Sequence, residues 1–519
     1  MSNSLALNTD RFRQIINDPK LTVKQKNQFL ALEAEALLDY MPVSDGVQSA
    51  MKQGVICDMF EGNAPFKPRY VLPDYARYLS QGSAFLELDA ANDFDDALNM
   101  LTVLYHHVPS VTNIPVYLGQ LDELLMPYVG QLSDAQIYQK LRRFWIMLDR
   151  TLPDAFMHAN IGPSDNLICR TILRIDAELK QIAPNLTFMY DPKVTPDDLL
   201  RVACANICEC SKPHIANYPM HAQTYGDKQF GIVSCYNSLP LAGGANTLVR
   251  LNLKEVAQRA ESVSDFMQAV LPSYVDLAIE LIDARTTYLH EQSGFFNSFL
   301  VEEKLIDEQR FAPMFGIYGM AEAVDTLQTK SSLSGQYGLD SQANQLGVQI
   351  SQRLAQLLEE RPVKYGWQQR ALLHAQGGIS LDIDVTPGVR IAYGHEPDPV
   401  SYVLANAPHH AFYPSGISDI LTIDETVKDN PEAMYNLCKG ALAAGYREFT
   451  ANVASNDLVR VTGYMVKLSD IEKFAQLGSR SNTTFLGAEA AKNTAILARR
   501  PRIVSMETTP VYQEQAESN

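Results

Sequence analysis

At 519 residues, with 46% hydrophobic and 20% charged side chains, the chain can bury one large core or two or three ordinary ones. Its net charge of −17 is dispersed along the sequence, which argues against a polyanion such as nucleic acid as partner. The first residues lack the charged and apolar regions of a signal peptide, and no window approaches the ~20 apolar residues of a membrane span, so cytoplasmic residence is expected. Seven cysteines, an odd number in a large chain, make a disulfide framework a poor reading.

The pattern is helical up to about residue 80, with a loop around residues 62–78. Residues 93–108 place apolar side chains at helical spacing behind an acidic first turn, and long amphipathic helices are expected at 133–150, 165–183, 253–284 and 340–360. Short β-rich runs alternate with them at 186–190, 230–234, 247–253, 315–319 and 379–385. Short strands separated by long helices predict one dominant α/β domain, a barrel among its options. After a helix at 431–445 come β-branched runs broken by a turn at Ser455-Asn456-Asp457, then a helix from about 470. This reads as a barrel over residues 1–440 that carries a cysteine loop, followed by a small C-terminal module over 441–519.

Gly463 lies inside the strand-like run RVTGYMVKL, residues 460–468. A glycine there ordinarily marks a bulge or a close backbone approach. The other reading is radical storage. An α-carbon radical is stabilised jointly by the flanking amide nitrogen and carbonyl once the carbon becomes planar, and a β-carbon would crowd that state. Cys235 lies in GIVSCYN, residues 231–237, where the bland reading is a small buried hydrophobe.

Together these segments are similar to the glycyl radical enzyme superfamily of pyruvate formate-lyase and the anaerobic ribonucleotide reductases. RVTGY with the upstream Asn452-Val453 resembles its radical signature, and GIVSCYN resembles its catalytic cysteine loop. The run 246–257 is closer to the stretch after that cysteine in the reductases. Residues 116–129, 184–200, 315–327 and 409–420 resemble further shared stretches in the family's order, although Met189 stands where arginine is common. Within the superfamily the chain most resembles the shorter YjjI-type branch.

The resemblance implies a ten-stranded α/β barrel of two antiparallel five-strand halves, with Gly463 as radical store and Cys235 as thiyl residue. It implies a homodimer, a separate iron–sulfur radical-SAM activating enzyme, and no cofactor beyond the glycyl radical, with no bound metal. The departures limit the chemistry. Ser234 and Tyr236 flank Cys235, so the adjacent-cysteine acyl transfer of pyruvate formate-lyase is not expected. Asn237 replaces the glutamate that serves as base in glycerol- and choline-type enzymes, and an amide cannot take that proton. Glycerol or propanediol dehydration and choline cleavage are therefore not expected. A base, if required, has to come from another strand or loop. The missing four-cysteine zinc module and regulatory domain count against ribonucleotide reduction.

Glu322 is the carboxylate candidate for such a base. His409 and His410, beside Phe412 and Tyr413, and His158, read here as part of a Gly-Pro loop, are candidates for substrate binding or proton movement. Each could equally be a structural residue. Cys204, Cys208 and Cys210 form C-x3-C-x-C with Ser211 where an iron–sulfur motif needs cysteine, so a core or pocket-lining role fits them better than metal ligation. The leading expectation is radical lyase or elimination chemistry on a small polar metabolite. The alternatives are a nucleoside- or nucleotide-directed radical reaction and a non-catalytic glycyl radical repair partner.

Overall fold

Strands covered on both faces read as near-continuous apolar runs, as residues 314–318 do, and the run 186–190 is buried on both faces with Thr187 as its one polar residue on the second face. The computed structural model describes residues 9–59, 61–109, 117–152, 156–375, 377–379, 382–461 and 465–479. Its strands begin with β1 (Ile56–Asp58), β2 (Tyr70–Leu72), β3 (Tyr117–Gln120), β4 (His158–Ile161), β5 (Asn185–Tyr190) and β6 (His214–Asn217). There follow β7 (Phe230–Val233), β8 (Asn237–Pro240), β9 (Gly243–Ala245), β10 (Leu248–Asn252), β11 (Met314–Tyr318) and β12 (Leu372–Ala375). The last are β13 (Leu421–Ile423), β14 (Glu448–Phe449), β15 (Ala451–Val453), β16 (Leu458–Arg460) and β17 (Met465–Lys467).

Two sheets organise the molecule. One has five strands in the order β14-β6-β5-β4-β3, parallel except for β14, and the other four in the order β1-β10-β11-β12, parallel except for β1. The expected second half of five strands thus has four among the described residues. Strand β14 lies beyond the boundary expected at residue 440, yet it joins the edge of the five-stranded sheet.

That sheet has an apolar and a polar side. Ala159, Ile161, Leu186, Phe188 and Ile215 share a core with residues of helices Asp134–Thr151, Leu167–Leu179 and Asp197–Cys210. The alternate residues His158, Asn160, Thr187, His214 and Glu448 occupy the opposite side, all buried. Side-chain caps set the helix starts, as at Ser133, which forms a capping box with Gln136.

Three expectations are corrected. His158 opens strand β4 rather than lying in a loop. The helix expected over 253–284 is interrupted after Arg259, because Ser262 accepts from the Asp265 amide and starts a new helical turn. Residues 382–385 form no strand: Asp382 accepts from the Ile379 amide at 2.9 Å and binds Arg250 through both oxygens, while residues 380 and 381 of the expected run lie outside the described residues. Among the described residues no helix is long and apolar enough to cross a membrane.

Candidate functional site

The Cys235 hairpin is built by β7 and β8, paired antiparallel from Phe230↔Pro240 to Val233↔Asn237, with Ser234, Cys235 and Tyr236 at its tip. Ser234 (φ 50°) and Tyr236 (φ 63°) are both in the left-handed region, a conformation costly for residues with a β-carbon. Packing holds it. Asn160 on β4 donates to the Ile232 carbonyl and accepts from the Ile232 amide, each at 2.9 Å, which fastens the hairpin to the polar side of the five-stranded sheet. Tyr70 on β2 donates to Ser234 Oγ at 3.1 Å. The Cys235 side chain is buried and lies 3.8 Å from Ser234 Oγ.

Strands β16 and β17 pair antiparallel with Arg460 opposite Met465. Gly463 is among residues 462–464, which lie outside the described residues. Asn452 on β15 holds Arg460 by its backbone at two points: Nδ2 donates to the Arg460 carbonyl and Oδ1 accepts from the Arg460 amide, both at 2.8 Å. The buried Arg460 guanidinium donates to the Ser211 carbonyl at 2.6 Å, to Asn185 Oδ1 at 3.1 Å and to the Tyr236 hydroxyl. The residue three positions before Gly463 is thereby joined to the residue next to Cys235.

A chain of neutral groups runs behind the hairpin. His158 Nδ1 lies 3.4 Å from the Ser234 carbonyl and its Nε2 2.6 Å from Thr187 Oγ1, which is in turn 2.9 Å from His214 Nδ1. Burial, aided by the Arg460 charge, pushes His158 down to about 3 and His214 well below the usual histidine range. His214 stacks on Tyr236 with ring centroids 4.0 Å apart. Beyond it, Glu448 lies with Oε2 at 3.6 Å from His214 Nε2 and Oε1 at 3.8 Å from His221 Nε2. His221 closes the arc through Nδ1, 3.0 Å from Ser238 Oγ on β8. Burial raises the Glu448 carboxyl well above the ordinary range and drives His221 well below its own. Sequence reasoning did not single out Glu448, His214, His221 or Arg460. The available signal was a polar residue at every second position of short strands.

Asn237 donates through Nδ2 to the Val233 carbonyl at 3.2 Å, and its buried Oδ1 has no hydrogen-bond partner among the described residues. Glu322 accepts from the Thr386 amide at 2.9 Å and from the Thr386 hydroxyl, and its burial raises its carboxyl. His409 bridges Ser351 Oγ (2.8 Å) and the Tyr337 hydroxyl (3.1 Å), and Tyr413 meets the same Ser351 Oγ at 2.9 Å. His410 accepts from the Arg447 amide at 3.2 Å and packs on Tyr446. Of the candidates named from sequence, His158, Cys235 and Asn237 therefore share the hairpin region, while Glu322 and the His409–Tyr413 group bind other segments. Cys204, Cys208 and Cys210 are buried on one helix, and no disulfide forms. Among the described residues no group of three or more His, Cys, Asp or Glu side chains could hold a metal ion.

The model of the family described as "Glycyl radical enzyme YjjI-like" matches residues 21–502. The uncharacterized protein YjjI of Escherichia coli (strain K12) is 62% identical over 498 residues, 96% of each chain. A Haemophilus influenzae protein is 37% identical over 463 residues, 88% of this chain and 90% of its own. Among solved structures, hydroxyproline dehydratase from Clostridioides difficile superposes with a TM-score of 0.69 at 12% identity, covering 96% of this chain and 89% of that one. The B12-independent glycerol dehydratase from Clostridium butyricum gives 0.70 at 11%, covering 93% and 86%. The anaerobic ribonucleotide reductase from Thermotoga maritima gives 0.67 at 11%, covering 91% and 93%. At these identities the likeness shows a shared α/β fold, and the family match extends it to the lineage. The chain belongs to the YjjI-like family of glycyl radical enzymes.

Proposed function

We propose that the protein is a radical lyase in which Gly463 stores the radical and Cys235 carries it to a small polar metabolite. The observation that supports this most directly is the Arg460–Tyr236 hydrogen bond. It ties the strand leading to Gly463 to the tip of the cysteine hairpin, the two segments between which a hydrogen atom has to pass. The glycyl radical, once installed, supplies the one-electron chemistry. Cys235 takes a hydrogen atom from substrate as a thiyl radical and returns it to the product. The polar side of the five-stranded sheet orients the substrate, and the buried surroundings keep water and oxygen away.

Lyase chemistry is favoured because two of the structural relatives are dehydratases, one with trans-4-hydroxy-L-proline bound and one with glycerol. A nucleoside- or nucleotide-directed radical reaction is the second reading. It rests on the reductase-like run at 246–257 and on the fold shared with the Thermotoga reductase. A radical-SAM enzyme acting on the β16–β17 region as activase, homodimeric assembly and a cytoplasmic location belong to the same proposal. The test is anaerobic activation followed by electron paramagnetic resonance. Wild type should give a doublet from a carbon radical coupled to one α-hydrogen, and Gly463→Ala should give none. A doublet that survives the substitution would place the radical elsewhere.

A further inference from the structure

Glu448 is buried at the sheet edge, and among the described residues neither of its carboxyl oxygens bonds to a side chain; the Ile417 amide is the nearby backbone donor. The groups facing it are His214 from β6, His221 and Tyr225 from helix Tyr218–Tyr225, and Arg447 beside it, with His410 behind Arg447. Arg447 sends its guanidinium away, to the Met220 carbonyl at 3.1 Å and Thr224 Oγ1 at 3.3 Å. A carboxylate buried without a cation in contact is costly, and burial raises the Glu448 carboxyl well above its ordinary range against the pull of the Arg447 charge.

The hydrogen-bond chain gives that acid a direction. The Ser234 carbonyl can only accept, so His158 donates from Nδ1 and accepts at Nε2 from the Thr187 hydroxyl. Thr187 then accepts from His214 Nδ1, which leaves the lone pair of His214 Nε2 facing Glu448. Gly416 presses on the same carboxyl. With φ of +94°, a β-carbon there would overlap the Tyr236 carbonyl oxygen and stand 2.5 Å from Glu448 Oε1.

We propose that Glu448 is a catalytic residue that enters the reaction as a neutral acid and protonates the leaving group of the substrate radical formed by Cys235. The role rests on the radical-lyase reading above, and it supplies from strand β14 the acid–base group that Asn237 cannot provide. The Cys235 thiyl takes a hydrogen atom from a substrate carbon bearing a hydroxyl. On the adjacent carbon a hydroxyl or amine leaves with the bonding electron pair and the Glu448 proton, as water or ammonia. The first hydroxyl returns its proton to the Glu448 carboxylate and becomes a carbonyl. The radical, now on the second carbon, takes the hydrogen atom back from the Cys235 thiol. Atoms and charge balance, and Glu448 ends as it began.

Infrared difference spectroscopy on the full-length, unactivated protein tests the acid without a known substrate. Subtracting Glu448→Gln from wild type at pH 8 should leave the carbonyl band of a protonated carboxyl. The subtraction isolates Glu448 from Asp122, which burial lifts to about 7. A carboxylate band instead would overturn the proposal. In parallel, the activated wild type and Glu448→Gln are given propane-1,2-diol, ethanolamine, trans-4-hydroxyproline and cytidine as probes. For any probe the wild type converts, Glu448→Gln should lose about 100-fold or more with an undiminished glycyl signal. Equal turnover would overturn the role. If no probe is converted, the infrared band decides alone. A missing glycyl doublet in wild type would instead strike the radical reading and leave the infrared result standing.

Discussion

Asn452 grips Arg460 by its main chain, one side-chain amide closing both an N–H and a C=O bond at 2.8 Å to a residue eight positions on. That grip fixes where the Arg460 guanidinium goes, and the guanidinium reaches the Tyr236 hydroxyl. Tyr236→Phe should keep the ring stacked on His214 while removing the acceptor. The expected result is a stability loss of about 1–3 kcal/mol in urea unfolding, from a buried donor left short of a partner. Turnover should fall by about 10–100-fold with the glycyl signal intact, because hydrogen transfer depends on how the two loops are aligned. Unchanged turnover would mean that the contact is structural only.

Storage and catalysis should separate at Cys235. Cys235→Ser should still acquire the glycyl radical, yet turn over nothing, since an alcohol O–H bond is too strong for that radical to break. Cys204→Ser and Cys208→Ser, on the helix packed outside the sheet, should lose only packing energy, about 1–3 kcal/mol. Activity in Cys235→Ser would remove the thiyl assignment.

Gly416→Ala addresses the carboxyl pocket from its wall. Positive φ and overlap with the Tyr236 carbonyl oxygen together predict a destabilisation of about 2–3 kcal/mol. They also predict displacement of Glu448, read as a changed carboxyl band in the infrared spectrum. A variant as stable as wild type would show that this wall yields.

His409 offers a single-group pH test. Burial holds its imidazole at about 3, against about 6.5 when unfolded, so below pH 6.5 the unfolded chain binds a proton that the folded one refuses. Its contribution to stability is whole above pH 6.5 and is lost as pH falls toward 3. Relative to His409→Gln, wild type should therefore lose up to about 1.4 kcal/mol per pH unit across that window. Urea midpoints of both proteins at pH 7, 6, 5 and 4 give the difference, and a gap constant with pH would refute the linkage.

What could be read in the sequence followed the apolar side of the fold. Runs such as 186–190 and 315–319 were visible as strands because both of their faces are buried. Strands β4 and β6 were not, since His158, Asn160 and His214 point to the polar interior and break the apolar run. The same feature concealed part of the site. Glu448 stands in a two-residue strand, and its nearness to His214 and His221 follows from sheet order, which joins positions more than 200 residues apart. Asp382 shows the reverse error: its run alternates like a strand, yet the carboxylate is drawn out of line by Arg250.

The pairing of β16 with β17 bears on what an oxygen-damaged molecule would look like. Scission at Gly463 would separate Arg460 from Met465 along the chain, yet the two strands remain hydrogen-bonded partners. Farther on, the Gln25 side chain donates to the Ser479 carbonyl at 2.7 Å, and Gly478 is packed so closely on Lys20 that a β-carbon would overlap its carbonyl oxygen. The described part of the severed tail, residues 465–479, is thus held near both of its limits by residues from elsewhere in the chain. The nicked protein should migrate as two pieces under denaturing conditions and elute at its intact size under native ones, a break that persists as a seam inside a folded body.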